Sequence, residues 1–432
     1  MECNEDWFFN DSLDFVNKGV FDMLFNEWIF SFIIKESFSD QFEINNQSIC
    51  QIVKEDKHTT LRNKLKNYFN LIFPSSTVYG INPFEALILD SFLLFKKRKI
   101  KDNKKIKSKN MKKDSGIRLN WELLLQKTIP QYYKNIIQRN QPNYRRTFLI
   151  GGKIYYNEKF KEKIARSYDV GSKIISTQHG SNYGTMDSFP QPYLVEYMND
   201  HFFSWGWEKQ SDYNFKAIPL PSPVLSKIKI NKTATTDSDG ILFVGQFANL
   251  FSYRLISGPQ PGSQIKIIKE IMSFLDNIRE DLRRELIFAP YPNVINCINQ
   301  TNFIKKQYKY INVQKNKLNH YLFNAKLMVT DHPSTAFHQR MAANLPTVAY
   351  WDSSLWGLAK QSKSYFKSLK NSGILHNSGV DAANHINHIW ENLDDWWNES
   401  TLQKARENWC WEYSRTDDKW FSMWLQKLKE LS

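Results

Sequence analysis

One stretch, residues 325–351, AKLMVTDHPSTAFHQRMAANLPTVAYW, constrains the fold more than any other part of the chain. A β-branched apolar run at 327–330 meets a polar turn (Asp331, His332, Pro333), a helical pattern spans 334–343, and a second short strand spans 347–350. A strand, a helix and a strand following one another so closely predict a β-α-β unit. Ser334 and Thr335 stand where a hydroxyl satisfies the free N–H groups of a first helical turn, and Pro333 suits the entry to it. A helix start of this kind also attracts phosphate; the same residues equally suit an ordinary capped helix.

Alternation of short strands and helices extends the pattern in both directions and predicts parallel sheets with crossover helices. Strands are expected at 147–150, 173–177 and 201–205, with a helix at 158–168 stopped by Gly171, and again at 241–244 and 286–289 around a helix at 264–282. The proline-rich run 218–223 is expected to be extended and outside any sheet or helix. With the polar stretch 231–240 it marks the boundary between two halves. Residues 1–145 read as a helical region, 146–230 as a first Rossmann-like part, 231–380 as a second, and 381–432 as terminal helices. In the helical region the spacing of Phe21, Phe25, Trp28 and Phe32 predicts one apolar helix face, and residues 119–138 are expected to form a helix interrupted at Pro130. Seven of the fourteen tryptophans lie between Trp390 and Trp424, which suits either packing of a terminal helix or a membrane-facing surface.

At 432 residues the chain is long enough for two cores, and 41% hydrophobic with 15% aromatic residues is a packed globular composition. Its net charge of +14 is mostly local: residues 96–113 hold eleven Lys or Arg against Asp102 alone, a net +10 that leaves +4 for the rest. Such a run is a solvated loop, and its first-choice partner is an anionic membrane surface, through Lys96 to Lys113. No binding motif accompanies it, so nucleic acid is not expected. No apolar run approaches the ~18 residues of a membrane span, and the acidic start (Glu2, Glu5, Asp6) differs from a signal peptide. The expectation is a cytoplasmic protein, peripheral on the inner face of the cell membrane. Cys3, Cys50, Cys297 and Cys410 are too scattered for zinc or a disulfide framework, and His385 with His388 does not by itself make a metal site.

Ligands of open parallel sheets lie beyond the carboxyl ends of the strands. The loop after 173–177 reads Gln178-His179-Gly180-Ser181-Asn182-Tyr183-Gly184. His179 can move a proton near neutral pH, and Gly180 and Gly184 allow close backbone approach. GxxxxGK, strand-linked GxGxxG and GxSxG are all missing, which argues against a P-loop nucleotidase, a dinucleotide oxidoreductase and an α/β-hydrolase.

Two β/α halves, the QHG loop, the downstream Glu196, Asp200 and SWGW, and then D-x-x-S-T with N-x-P-T resemble a GT-B glycosyltransferase. The closer resemblance is to transferases of bacterial surface-carbohydrate (O-antigen, lipopolysaccharide and capsule) biosynthesis, and more distantly to capsule Kdo transferases and teichoic-acid glycerophosphotransferases. The resemblance implies a GT-B-like α/β fold, two Rossmann-like domains facing a cleft, with a nucleotide-sugar donor on the second and a glycan or lipid-linked glycan acceptor on the first. It implies catalysis by His179 as base or phosphate stabiliser, with Asp187 or Glu196 as carboxylate alternatives. Gln178, Gly180, Ser181 and Asn182 would form the substrate loop. Nucleotide and phosphate contacts fall to Gln246, Arg254, Ser257, Tyr291, His332, Ser334, Thr335 and Gln339, the last standing where such enzymes often carry a ribose-binding Glu. CMP-linked keto-sugar acids, such as Kdo or a nonulosonate, come ahead of UDP- or GDP-hexoses, with no metal cofactor. A CDP-polyol phosphotransferase and a non-catalytic membrane-associated scaffold are the competing functions.

Overall fold

The computed structural model describes residues 61–94, 98–99, 144–155, 157–210, 215–231, 239–246, 258–291, 300–314 and 318–431. The aromatic face at Phe21 to Phe32, the helix expected at 119–138, and the site candidates Arg254 and Ser257 lie outside these. So does the basic run except at its start, where Arg98–Lys99 pairs antiparallel with Tyr144–Arg145 in place of the expected loop.

Helices α1 (Leu61–Ile72) and α2 (Pro83–Leu94) lead into the first lobe. Its sheet is β1 (Thr147–Ile150), β2 (Lys173–Thr177), β3 (His201–Ser204) and β4 (Ile218–Pro219), in that spatial order and all parallel; α3 (Glu158–Asp169) makes the β1–β2 crossover. Side-chain alternation along β1 splits the lobe into two layers. Phe148 and Ile150 pack on Phe160 and Ile164 of α3, whereas Leu149 joins Val78, Ala86 and Leu89 on the opposite face. Residues 61–94 of the expected helical region are therefore part of the first lobe's core. A buried ion pair, Arg146 Nη2 to Asp90 Oδ1 at 3.3 Å, fastens α2 to the edge of this sheet. Ile218–Pro219 forms a strand despite its proline, contrary to expectation. As the edge of the sheet, β4 needs hydrogen bonds on one side only, and Pro lacks a donor it does not use there. Pro223 then opens α4 (Pro223–Asn231) at the position where proline suits a helix.

The second lobe has β5 (Asp239–Val244), α5 (Gln264–Asn277), β6 (Leu286–Ala289), β7 (Asn312–Val313), β8 (Ala325–Thr330), α6 (Thr335–Ala342), β9 (Thr347–Tyr350), α7 (Lys363–Asn371), β10 (Leu375–His376) and α8 (Gly379–Ile389). The helix expected at 264–282 is broken: α5 ends at Asn277 and a separate short helix, Glu280–Arg284, follows. All six strands are parallel in the order β7-β6-β5-β8-β9-β10. The order reverses between β5 and β8, so the loops after these two strands diverge and leave a crevice at their carboxyl ends.

After α8 the two last long helices separate. α9 (Ser400–Tyr413) packs on the second lobe, with Trp409 edge-on to Phe337 and Phe366. α10 (Trp420–Leu431) returns to the first, where Trp424 packs edge-on to Phe203 and its Nε1 donates to Pro221 O at 2.9 Å. Among the described residues no helix is long and apolar enough to cross a membrane.

Candidate functional site at the seam between the lobes

The QHG loop leaves the carboxyl end of β2, and its first residue holds its shape. Gln178 is buried; its Oε1 accepts from Trp205 N and Trp207 Nε1, both at 2.9 Å, and its Nε2 donates to Gly180 O at 2.9 Å. It fixes the loop to the SWGW segment. Asn182 and Gly184 adopt positive φ (74° and 71°), which turns the chain back. A Cβ on Gly184 would stand 2.6 Å from the Trp207 ring, so this glycine serves the packing of Trp207 rather than the approach of a ligand. A Cβ on Gly180 would meet Thr335 Oγ1 at an ordinary 3.7 Å.

That return places Tyr183 beneath His179. The His179 Nδ1 lies 2.9 Å from Tyr183 Oη and 3.2 Å from Glu196 Oε1. Glu196 comes from a π-helical turn, Tyr193–Tyr197, and is 1% exposed. Its Oε2 accepts from Tyr183 Oη at 2.7 Å and from Tyr155 Oη at 3.0 Å. Burial, and next the Glu196 charge, push both phenols well above the ordinary tyrosine range, so they remain donors. The imidazole packs on Gly152, where a Cβ would approach its Cδ2 to 2.7 Å. The Glu196 carboxylate and the Tyr183 hydroxyl both stand at Nδ1, so a neutral ring with its proton on that nitrogen would keep a lone pair on Nε2. The side chain of His179 remains 26% exposed.

The second lobe meets this loop directly. Ser181 N donates to Thr335 Oγ1 at 3.2 Å, so the His179 loop and the start of α6 are joined by one hydrogen bond. Ser334 caps α6, its hydroxyl accepting from Phe337 N at 3.1 Å. Around this start lie the ends of the two strands flanking the switch point. Gln246, after β5, donates from Nε2 to Asp331 Oδ2 at 3.2 Å, and His332 Nδ1 lies 3.0 Å from Asp331 Oδ1. Gln339, one turn along α6, donates weakly to Tyr79 Oη at 3.5 Å. Arg340 is fully buried and anchors the helix from below, donating to Leu322 O, Ala325 O and Pro346 O.

The structure thus gathers His179, Glu196, Ser181, Ser334, Thr335, His332, Gln246 and Gln339 along the seam. Tyr291 follows β6 at the same sheet edge and is half exposed. Asp187 is exposed and its N–H donates to Gly357 O of the second lobe; no hydrogen bond or ion pair among the described residues links it to His179 or Glu196. Of the two carboxylates expected as alternatives to His179, Glu196 stands beside it, with Oε1 3.2 Å from Nδ1. Tyr183 and Tyr155 escaped the sequence reading, although each stands in a loop that leaves the carboxyl end of a strand, β2 and β1 respectively. A cavity of about 440 Å³ lined by Gly240, Arg284, Asn312 and His320 opens at the amino ends of the second sheet, the wrong edge for chemistry in such a fold.

Two parallel α/β lobes joined at the carboxyl edges of their sheets define a GT-B-like protein with an interlobe site. A family model described as LIC12162 family transferase matches residues 2–428, and the chain belongs to that family. A search of the curated proteins found no match. Among solved structures, the Staphylococcus aureus MnaA–UDP complex is similar at 11% identity and a TM-score of 0.40, over 74% of this chain and 84% of that one. Anabaena HepE with UDP and glucose gives 11% and 0.40 over 71% and 82%, and Acinetobacter baumannii MurG gives 10% and 0.34 over 73% and 83%. The fold itself stands on its own strand order and register.

Proposed function

We propose that this transferase is a glycosyltransferase of bacterial surface-polysaccharide biosynthesis, taking its sugar from a nucleotide donor held on the second lobe. The observation that carries the reading is the Ser181–Thr335 hydrogen bond, which sets the part-exposed His179, backed by a buried Glu196, against the capped helix start of the other lobe. The free amides and dipole of α6 take up the charge of a departing nucleotide phosphate. His179 Nε2 removes the proton of an acceptor hydroxyl, the oxygen forms its bond to the anomeric carbon, and the bond from that carbon to the phosphate oxygen breaks. Glu196 offsets the imidazolium that results.

Within this reading a CMP-linked keto-sugar acid is the preferred donor and no metal is called on. Its leaving group is a monophosphate, whose charge one helix start can stabilise. Gln339 takes the place of a ribose-binding carboxylate; an amide still hydrogen-bonds a hydroxyl without the charge-assisted gain. The basic run 96–113 is assigned to the anionic surface that presents a lipid-linked acceptor.

A thermal-shift panel of CMP, CDP, UDP and GDP tests the proposal, because a ligand that binds only the folded state raises its melting temperature. A shift with CMP, followed by a glycosylated product of the expected mass, is the predicted result. A product carrying a phosphoryl-polyol from CDP-glycerol would reassign the chain to polyol transfer. Binding to anionic liposomes with no response to any nucleotide would make it a scaffold.

A further inference from the structure

The Glu196 carboxylate receives more than a histidine partner requires. Its Oε2 accepts two phenolic hydrogen bonds, from Tyr183 at 2.7 Å and Tyr155 at 3.0 Å, while its Oε1 is turned to His179 Nδ1 at 3.2 Å. The two tyrosines come from different strand ends, one after β2 and one after β1, and converge on one oxygen. Their rings also enclose the imidazole, with centroids 5.4 Å and 5.5 Å from it. The titratable groups facing the carboxylate are His179 and Tyr183 from the QHG loop, Tyr155 from the turn after β1 and Tyr197 from its own turn. Burial, and next the Glu196 charge, keep the Tyr155 and Tyr183 phenols protonated, so both remain donors to the carboxylate.

We infer that Tyr155 and Tyr183 are positioning residues that keep Glu196 ionised and aimed at Nδ1, and thereby leave Nε2 of His179 as a base of tuned strength. This rests on the reading of His179 as the base. A carboxylate at 1% exposure without donors would take up a proton or pull one fully onto the imidazole, and either change blunts the base. Each phenol stabilises the anion, so each lowers the affinity of the pair for its proton. Tyr183 has a second task. Its hydrogen is donated to Glu196, so its oxygen is free to accept from Nδ1–H, which fixes the tautomer.

The test is an NMR titration of the labelled imidazoles in the full chain, with His179 assigned by its loss in His179→Gln. Tyr155→Phe removes a donor to Oε2 and keeps the Tyr183 hydroxyl at Nδ1, so the His179 pKa is expected to rise by about half a unit or more. Glu196→Gln removes the anion, so the same pKa is expected to fall. A merely structural role would not move it in opposite directions in the two variants. The acidic limb of kcat/KM should follow each change, with the donor KM unaltered. An unmoved pKa in Tyr155→Phe, or the Nε2–H tautomer in the unaltered protein, overturns the inference. The tautomer is read without any variant, so a folding failure cannot hide the answer. If no nucleotide sugar is turned over but the two shifts appear, the inference stands and the glycosyltransferase reading falls; turnover without the shifts has the reverse meaning.

Discussion

His338 and His179 carry the same imidazole in opposite settings. His338 is fully buried on the inner side of α6, with Nδ1 3.1 Å from Tyr413 O and 2.7 Å from Ser414 Oγ, and burial lowers its pKa from 6.5 to about 4. In the unfolded chain it binds a proton as pH drops through 6.5, whereas the folded protein resists until pH 4. Stability is therefore complete above pH 6.5 and is lost progressively down to pH 4, by about 3 kcal/mol for this group. Urea unfolding at the two pH values should show that loss, and His338→Gln should show much less of it. The sequence distinguished neither histidine by type. His179 was legible because a strand ends just before it. Its partnership with Glu196 was not, because it depends on a backbone reversal at Asn182 and Gly184 and on a π-helical turn, neither of which leaves a periodic trace.

At the scale of elements, α6 was legible almost to the residue because its cap is written in the chain: Ser334 accepts from Phe337 N. That hydroxyl stabilises the helix and stands at the proposed phosphate site, and two substitutions separate the tasks. Ser334→Ala should cost about 1 kcal/mol of unfolding free energy, whereas Ser334→Gly should cost only a few tenths. Both should weaken nucleotide binding, since both lack the hydroxyl; calorimetric titration with full affinity in Ser334→Gly would move the phosphate elsewhere. Strand β4 was misread for the converse reason. Pro219 and Pro221 signal a break wherever a strand has two neighbours, and sequence does not reveal that this strand has one.

At the scale of the molecule, the described residues cross between lobes twice, once through α4 and again between α9 and α10. Leu225 of α4 packs with Trp205 and Ala342, and Arg415 N donates to Trp205 O at 2.9 Å as the terminal segment returns to the first lobe. The tryptophan-rich terminus thus has its large rings in the core: Trp409 and Trp424 are fully buried, and Trp411 alone among those seven is strongly exposed. Composition could not choose between core and membrane for them; the contact partners do. Trp424→Ala removes a buried ring and its bond to Pro221 O, and should destabilise the protein by roughly 3–5 kcal/mol. A loss below about 1 kcal/mol in chemical denaturation would mean that α10 does not hold the first lobe together.

The proposed chemistry needs a base in one lobe acting on a donor held by the other, and His179→Ala separates the two most directly. Nucleotide affinity and sugar transfer are measured side by side on this variant and the unaltered chain. The predicted result is transfer reduced to background with a dissociation constant unchanged within about twofold, because the imidazole acts on the reacting hydroxyl and not on the bound nucleotide. Transfer at the rate of the unaltered chain would contradict it.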